Sequence, residues 1–167
     1  VMDRSKVSVD GKTHQVDPPF MVFATQNPVD YEGTFPLPES QMDRFLMRIR
    51  MGYPGEEDEL VILQGGLMNY DEIKIEPVAS KEDIMALQQA AVSVYVEESV
   101  LRYMLNIITA TREEPEFKTG VSTRGGLALK LATQATALLQ GRDFVIPEDI
   151  ATMVKPILTH RLSLQRQ

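Results

Sequence analysis

The chain has 167 residues, of which 43% are hydrophobic and 25% are charged, and it contains no cysteine. This composition is globular, so it excludes wholesale disorder, disulfides and thiolate metal sites, and no apolar run approaches the roughly 20 residues that span a bilayer. The net charge of −7 argues against generic nucleic-acid affinity, and two histidines far apart in sequence argue against a histidine metal site.

The first part of the chain is predicted to contain a hairpin, two further strands and a short helix. Residues 7–16 form the hairpin around Asp10-Gly11, because Asp-Gly favours the type I′ turn that matches strand twist. Residues 20–24 are continuously apolar and of strand length, which predicts a strand buried on both faces. Pro38 is expected to begin a short helix, and the alternation over residues 44–51 predicts another strand.

The second part is predicted to be helical, and the turn-rich stretch at residues 52–55 marks the boundary. Ser80 and Asp83 resemble a capping box, and Gly141 is expected to stop a helix. Pro156 should kink or end the last helix, since it lacks a backbone donor. Apolar residues at helical spacing predict a bundle of four or five helices. The predicted segments are 56–67, 80–91, 97–112, 122–140 and about 147–158.

Asn27 is the first candidate functional residue. It follows the apolar strand predicted at residues 20–24, and the carboxyl ends of strands are where open α/β sheets bind ligands. An asparagine there can orient a water or hold a phosphate oxygen. The alternative is that Asn27 caps the turn before Pro28, which is common for asparagine.

Arg44 is the second candidate, lying between the short helix and the next predicted strand. One interpretation is a surface ion pair with a nearby acid such as Asp43. The other is a guanidinium presented at a domain edge, where it would stabilise phosphoryl charge.

Arg124 is the third candidate, in the first turn of the helix that begins after Ser122. A cation there opposes the helix dipole, and Gly125 and Gly126 are poor helix formers, so this helix start is locally unfavourable. A helix N-terminus with an added arginine suits an anion such as phosphate. The alternative is that Arg124 pairs with an acid among residues 113–116 and that the glycines allow close helix packing.

One apparent nucleotide motif is rejected. Gly11-Lys12-Thr13 looks like the end of a P-loop, but the pattern needs a glycine five positions before Gly11, where Lys6 stands. The motif also requires a strand before it and a helix after it, whereas these residues belong to the predicted hairpin. No other match to this pattern exists in the chain.

Four segments together resemble the MoxR family of AAA+ ATPases. The resemblance covers essentially the whole chain, and its first two segments are long and specific. Position 123 is threonine where the family often has proline, a mild difference. The segments are Phe23-Ala24-Thr25-Gln26-Asn27-Pro28, residues 32–45 (EGTFPLPESQMDRF), Gly120-Val121-Ser122-Thr123-Arg124 and residues 141–150 (GRDFVIPEDI).

The resemblance implies a fold that is mainly α with a small β portion. Residues 1–53 would be the truncated end of an AAA+ α/β core, with a pre-sensor hairpin, a sensor 1 strand and an arginine-finger strand. Residues 54–167 would be the helical lid. Asn27 would be sensor 1, which positions the attacking water, and Arg44 the arginine finger acting on ATP in the neighbouring subunit. Arg124 would be sensor 2, which binds the phosphates in its own subunit.

The resemblance also implies a function for the parent protein. It would be an ATP hydrolase that remodels or assembles partner proteins, using ATP and Mg²⁺ held by a P-loop and an Asp-Glu box that this chain lacks, so the chain alone is expected to be inactive. A cytoplasmic hexameric ring and clients with von Willebrand A domains are implied too. One alternative is a non-catalytic helical interaction module, in which residues 1–52 would fold as part of a complete sheet. Another is a DNA-translocating relative, which the acidic balance disfavours.

Overall fold

The computed structural model of the chain describes residues 6–9, 11–26, 37–65 and 75–165. Within these ranges the fold is mainly helical with a small β portion, as predicted. The elements in chain order are β1 (Lys6–Val9), β2 (Lys12–Gln15), α1 (Glu39–Met42), α2 (Glu56–Gly65), α3 (Lys81–Ser93), α4 (Glu98–Glu113), β3 (Phe117–Thr119), α5 (Thr123–Leu139), α6 (Pro147–Leu158), a 3₁₀ helix (Thr159–Arg161) and β4 (Ser163–Leu164).

The hydrophobic core lies among α4, α5 and α6. Their apolar residues recur at spacings of three and four, so one stripe of each helix can face the others. Met104 and Ile108 of α4 are buried, as are Ile150 and Ile157 of α6. Leu129 of α5 is fully buried between them.

The buried face of α5 differs from the face that leucine positions suggest. Leu127, Leu131 and Leu139 are 66%, 41% and 80% exposed. The buried face instead carries Gln134, whose side-chain amide donates to the carbonyls of Val92 and Val94 at 3.1 and 2.7 Å. A buried amide is tolerated there because both of these bonds satisfy its donors. The remaining buried residues of this helix are Gly125, Leu129, Ala132, Thr133 and Ala137.

The predicted helix boundaries are confirmed where a particular residue type favours a helix start or a helix end. Ser80 and Asp83 form a reciprocal capping box at α3, and these hydrogen bonds lower the pKa of Asp83. Gly141 adopts a φ of +74°, which few other residues tolerate, and ends α5. Pro147 is the first residue of α6, and Pro156 lies in its last turn, two residues before its end.

A buried ion pair closes the loop between α5 and α6. Arg142 donates to both carboxylate oxygens of Asp149 at 2.6 and 2.9 Å, and Asp149 is only 2% exposed. Burial alone would raise the pKa of Asp149. Hydrogen bonds from Arg142 and from the Ile146 N–H outweigh burial, so this pKa is lowered and Asp149 stays ionised.

Two predicted strands are wrong. Residues 20–24 and 44–51 form no strand, and Phe23, expected to be buried, is 86% exposed. A strand needs a neighbouring strand to pair its backbone groups, and within the described ranges neither segment has one. The predicted hairpin does form, with Lys6 paired to Gln15 and Val9 to Lys12.

Two further elements complete the description. A second pair of antiparallel strands, β3 with β4, was not predicted, because both are too short to show a period. The predicted helix at 56–67 forms as α2, but it buries none of its residues, so the packed bundle comprises α3–α6. Among the described residues no helix is both long and apolar enough to cross a bilayer.

Candidate functional site

The three candidate residues have different positions in the structure. Asn27 lies outside the described residues. Arg44 is exposed and directly follows α1 and Asp43, in a turn where its N–H donates to the carbonyl of Gln41 at 3.1 Å. Arg124 is also exposed and is the second residue of α5. Both arginines are therefore anchored through their backbone next to a helix end.

The segments that carry the two arginines are joined by a hydrogen bond across the fold. Ser122 caps α5 by accepting from the N–H of Gly125 at 3.2 Å. The same hydroxyl lies 3.2 and 3.1 Å from the two carboxylate oxygens of Asp43, to which it donates, 79 positions away in sequence. The neighbour of Arg44 thus contacts the residue that begins the Arg124 helix, and a carboxylate beside that N-terminus is favoured by the helix dipole.

Arg161 completes this junction. Its side chain is 2% exposed, and its Nε donates to Asp43 Oδ1 at 3.0 Å. Its Nη groups donate to the backbone carbonyls of Asp43, Phe45 and Leu46 at 3.3, 2.6 and 3.2 Å, and also to the carbonyl of Ile157. We call Asp43, Ser122 and Arg161 the Asp43 cluster.

The Asp43 cluster and Pro156 provide hydrogen-bond partners for part of the segment that was predicted as a strand at residues 44–51. The carbonyls that a neighbouring strand would bind accept from the guanidinium of Arg161 instead, and the N–H of Arg48 donates to the Pro156 carbonyl at 2.9 Å. From the sequence, Asp43 is expected only as a partner of Arg44. The Asp43–Arg161 pair is separated by 118 positions, so no local pattern could indicate it.

Gly125 is needed for the close approach of Arg161 to α5. A Cβ at this position would lie 2.9 Å from Arg161 Cδ and 2.6 Å from Val121 Cγ1. At Gly126 a Cβ would lie 2.8 Å from Ile108 Cδ1. All three distances are too short for contacts between carbon atoms, so these two glycines allow close packing, as the second interpretation of this helix start expected.

His160 lies beneath the same junction and is buried. Its Nε2 is 2.8 Å from Arg161 Nη1 and 3.2 Å from the Phe45 carbonyl oxygen. Burial lowers the pKa of His160, and the positive charges of Arg161 and Arg48 lower it further against the opposing effect of Asp43. The folded protein therefore disfavours the protonated form of this imidazole.

This lowered pKa predicts that acid destabilises the protein. The unfolded chain binds a proton at His160 below about pH 6.5, whereas the folded chain resists it, so the free energy of unfolding should fall as pH drops below about 6.5. One such group contributes at most about 1.4 kcal/mol per pH unit. Chemical denaturation at pH 7.5, 6.5 and 5.5 measures this slope.

A matched pair of variants identifies the group. His160→Gln should flatten the slope, whereas His14→Gln, at an exposed position on β2, should leave it unchanged. An equal slope in the wild type and in His160→Gln would contradict the assignment.

The described residues supply guanidinium groups for an anion rather than ligands for a metal ion. Among them no group of three His, Cys, Asp or Glu could hold a metal. Two exposed arginines on segments locked to one another suit phosphoryl oxygens, because a guanidinium is permanently charged and its fork matches phosphate geometry.

Comparison with protein-family models gives two matches. Residues 1–47 match the model described as "ATPase family associated with various cellular activities (AAA)". Residues 109–167 match the model of the AAA lid domain. The two matches together include Arg44, Arg124 and the whole Asp43 cluster.

The chain is also similar to known proteins. It is 47% identical to YeaC of Bacillus subtilis over 98% of this chain and 51% of that protein. It is 36% identical to the chaperone MoxR1 of Mycobacterium tuberculosis over 98% of this chain and 45% of that protein. The chain also superposes on the crystal structure of a Cytophaga hutchinsonii protein described as an ATPase, with a TM-score of 0.85 and 36% sequence identity. The superposition covers 96% of this chain and 52% of that one. The chain thus spans about half the length of the curated relatives it matches.

Proposed function

The chain belongs to the MoxR family of AAA+ ATPases, and from this premise we propose that it is the part of an ATP-hydrolysing protein that supplies arginines to the nucleotide. The observation that carries the proposal is the Ser122–Asp43 hydrogen bond, which joins the segment of Arg44 to the helix of Arg124. In this proposal residues 1–53 belong to the α/β core and residues 54–167 form the lid.

Each arginine has a separate role in the proposal. Arg44 acts as the arginine finger on ATP bound by a neighbouring subunit, where a guanidinium stabilises the charge that develops during phosphoryl transfer. Arg124 acts as sensor 2 on ATP bound by its own subunit. Asn27 acts as sensor 1 and orients the attacking water.

The remaining components of the site are proposed to lie outside the described residues. ATP, when bound with Mg²⁺, supplies the transferred phosphoryl group and the metal that neutralises its charge. The residues of this chain orient and neutralise the phosphates, and those that hold Mg²⁺ and cradle the phosphates belong to other parts of the protein. This division fits the absence of a P-loop pattern from the 167 residues.

Further parts of the proposal rest on the family alone. We propose that the protein works as a ring, with six subunits as the family implies, in the cytoplasm. It would couple hydrolysis to remodelling or assembling partner proteins, including those with von Willebrand A domains. The proposed action on partner proteins is supported by the similarity to a protein named a chaperone.

The described residues do not fit the alternative of a non-catalytic interaction module. It requires that residues 1–52 fold as part of a complete sheet. Of the described residues in this range, only β1 and β2 are strands, and they pair with each other. A lone hairpin is marginally stable in water, so these residues do not form an independent sheet domain.

Replacing Arg124 with alanine tests the sensor 2 assignment. In the full-length protein we expect ATP affinity to fall by roughly 10- to 100-fold, because one charge-assisted hydrogen bond contributes about 1.5–3 kcal/mol. Nucleotide-dependent closure of the lid should weaken as well. Titration with a fluorescent ATP analogue measures the affinity, and ATP hydrolysis in Mg²⁺ measures turnover.

Arg102→Ala is the matched control, because Arg102 is an exposed arginine on another lid helix and pairs with Glu98 one turn before it. It should leave affinity and turnover unchanged. Unchanged affinity together with unchanged turnover in Arg124→Ala would remove Arg124 from this role.

A further inference from the structure

We propose that Asp43 and Arg161 are positioning residues that hold Arg44 in a fixed place relative to the lid helix that carries Arg124. The inference rests on the proposed function of the two arginines. In the proposed function, neither Asp43 nor Arg161 contacts the nucleotide or the attacking water.

The first step of the argument is how the Arg44 segment is held. Among the described residues it has no neighbouring strand, so its position depends on contacts with the end of α6 and with the 3₁₀ helix that follows it. Arg161 donates hydrogen bonds to the side chain of Asp43 and to three backbone carbonyls of this segment, those of Asp43, Phe45 and Leu46. Arg48 adds its N–H bond to Pro156. One guanidinium therefore sets the path of the chain on both sides of Arg44.

The second step is that Asp43 extends this anchor to α5. Its Oδ1 accepts from both Arg161 and Ser122, and its Oδ2 accepts from Ser122. Ser122 is the cap of α5, and Arg124 lies two residues further along the same turn. Within the Asp43 cluster the carboxylate is the group that contacts both of the others, so it links the guanidinium of Arg161 to the cap of α5.

The third step is that the junction is rigid. The Arg161 side chain is 2% exposed and that of Asp43 is 28% exposed, so water competes little for the guanidinium. Gly125 lets α5 approach so closely that a methyl group would displace Arg161. A movement of α5 that follows nucleotide binding by Arg124 would therefore be passed to Arg44, which acts at the neighbouring site.

The test compares Asp43→Asn with wild type in the full-length protein. Asparagine keeps the shape but loses the charge and one of the two acceptor oxygens. We expect kcat for ATP hydrolysis to fall roughly 10- to 100-fold while KM stays within about twofold, because misplacing a catalytic group by about 1 Å costs that much in rate. Amide hydrogen exchange should rise roughly tenfold in both 44–48 and 122–126, as expected for the loss of a charged hydrogen bond.

Asp149→Asn is the matched control, because it neutralises an aspartate that also pairs with an arginine but lies wholly within the lid. It should raise exchange near residues 142–149 and leave kcat per folded molecule unchanged. If Asp43→Asn does not fold, Ser122→Gly serves instead, since glycine retains most capping stability. It removes the hydroxyl that binds Asp43 and that also accepts from the Gly125 N–H, so the rise in exchange at residues 44–48 is the decisive part of this test. Ser122→Gly should show the same paired rise in exchange.

The outcomes separate this inference from the proposed function. Suppose that Arg44→Ala loses turnover but Asp43→Asn leaves kcat unchanged and raises exchange in neither 44–48 nor 122–126. The positioning role is then overturned and the proposed function stands. If Arg44→Ala hydrolyses ATP normally, the proposed function fails. Hydrogen exchange in Asp43→Asn then tests by itself whether the Arg44 segment is coupled to α5. Exchange that rises in only one of the segments 44–48 and 122–126 overturns this coupling.

Discussion

Replacement of Arg44 with alanine is expected to reduce ATP hydrolysis by the full-length protein roughly 10³- to 10⁵-fold and to spare ATP binding. An arginine supplied by a neighbouring subunit contributes about this factor in phosphoryl transfer, since it neutralises charge that appears mainly in the transition state. Arg44 is exposed at the end of α1, as an arginine that reaches another subunit must be. Steady-state hydrolysis and a separate nucleotide titration measure the two effects.

Arg50→Ala is the control for Arg44, because it removes an exposed arginine from the same segment. It should hydrolyse ATP at a rate close to wild type. Normal turnover by Arg44→Ala would remove this residue from catalysis.

Mixing variants distinguishes action on the neighbouring subunit from action within one subunit. Arg44→Ala and Arg124→Ala subunits, each impaired alone at low ATP, should regain part of the activity when mixed. Some mixed interfaces then contain an intact Arg44 from one subunit and an intact Arg124 from the other. Activity that equals the sum of the two separate variants would indicate that Arg44 acts within its own subunit.

Replacement of Leu129 with alanine is expected to lower the free energy of unfolding by about 2–5 kcal/mol. Leu129 is fully buried between α5 and its neighbours, and truncation of such a side chain costs its transfer free energy plus that of the cavity left behind. Urea denaturation monitored by far-ultraviolet circular dichroism measures the loss.

Leu127→Ala is the control for Leu129, since it makes the same chemical change on the same helix at a side chain that is 66% exposed. Its effect should stay within about 0.5 kcal/mol, as for surface substitutions generally. Equal losses in the two variants would mean that the buried face of α5 is wrongly assigned.

Features fixed by neighbours in sequence could be predicted. Ser80 and Asp83 are three positions apart and cap α3 as expected, Gly141 ends α5, and Pro147 begins α6. The family resemblance was equally accessible, because its motifs are continuous segments. The stretch from Pro38 to Phe45 contains both the short helix and Arg44.

Features that depend on distant partners were predicted less well. The apolar run with Phe23 has the composition of a buried strand, yet Phe23 is exposed, because a strand is buried only where other elements cover it. The helix α5 carries leucines on several sides, so its period did not show which face would be buried. The hydrogen bonds of Gln134 to Val92 and Val94 belong to the buried side.

The sequence by itself determined the helices of the second part of the chain and their caps, and it singled out Asn27, Arg44 and Arg124 as candidates, because each of these inferences depends on residues close along the chain. Only the tertiary structure decided which of these segments meet. Asp43, Ser122 and Arg161 are separated by up to 118 positions and look like ordinary surface or capping residues in isolation. Folding brings them together because a buried guanidinium must bind a carboxylate and carbonyl oxygens, and residues 43–46 present both.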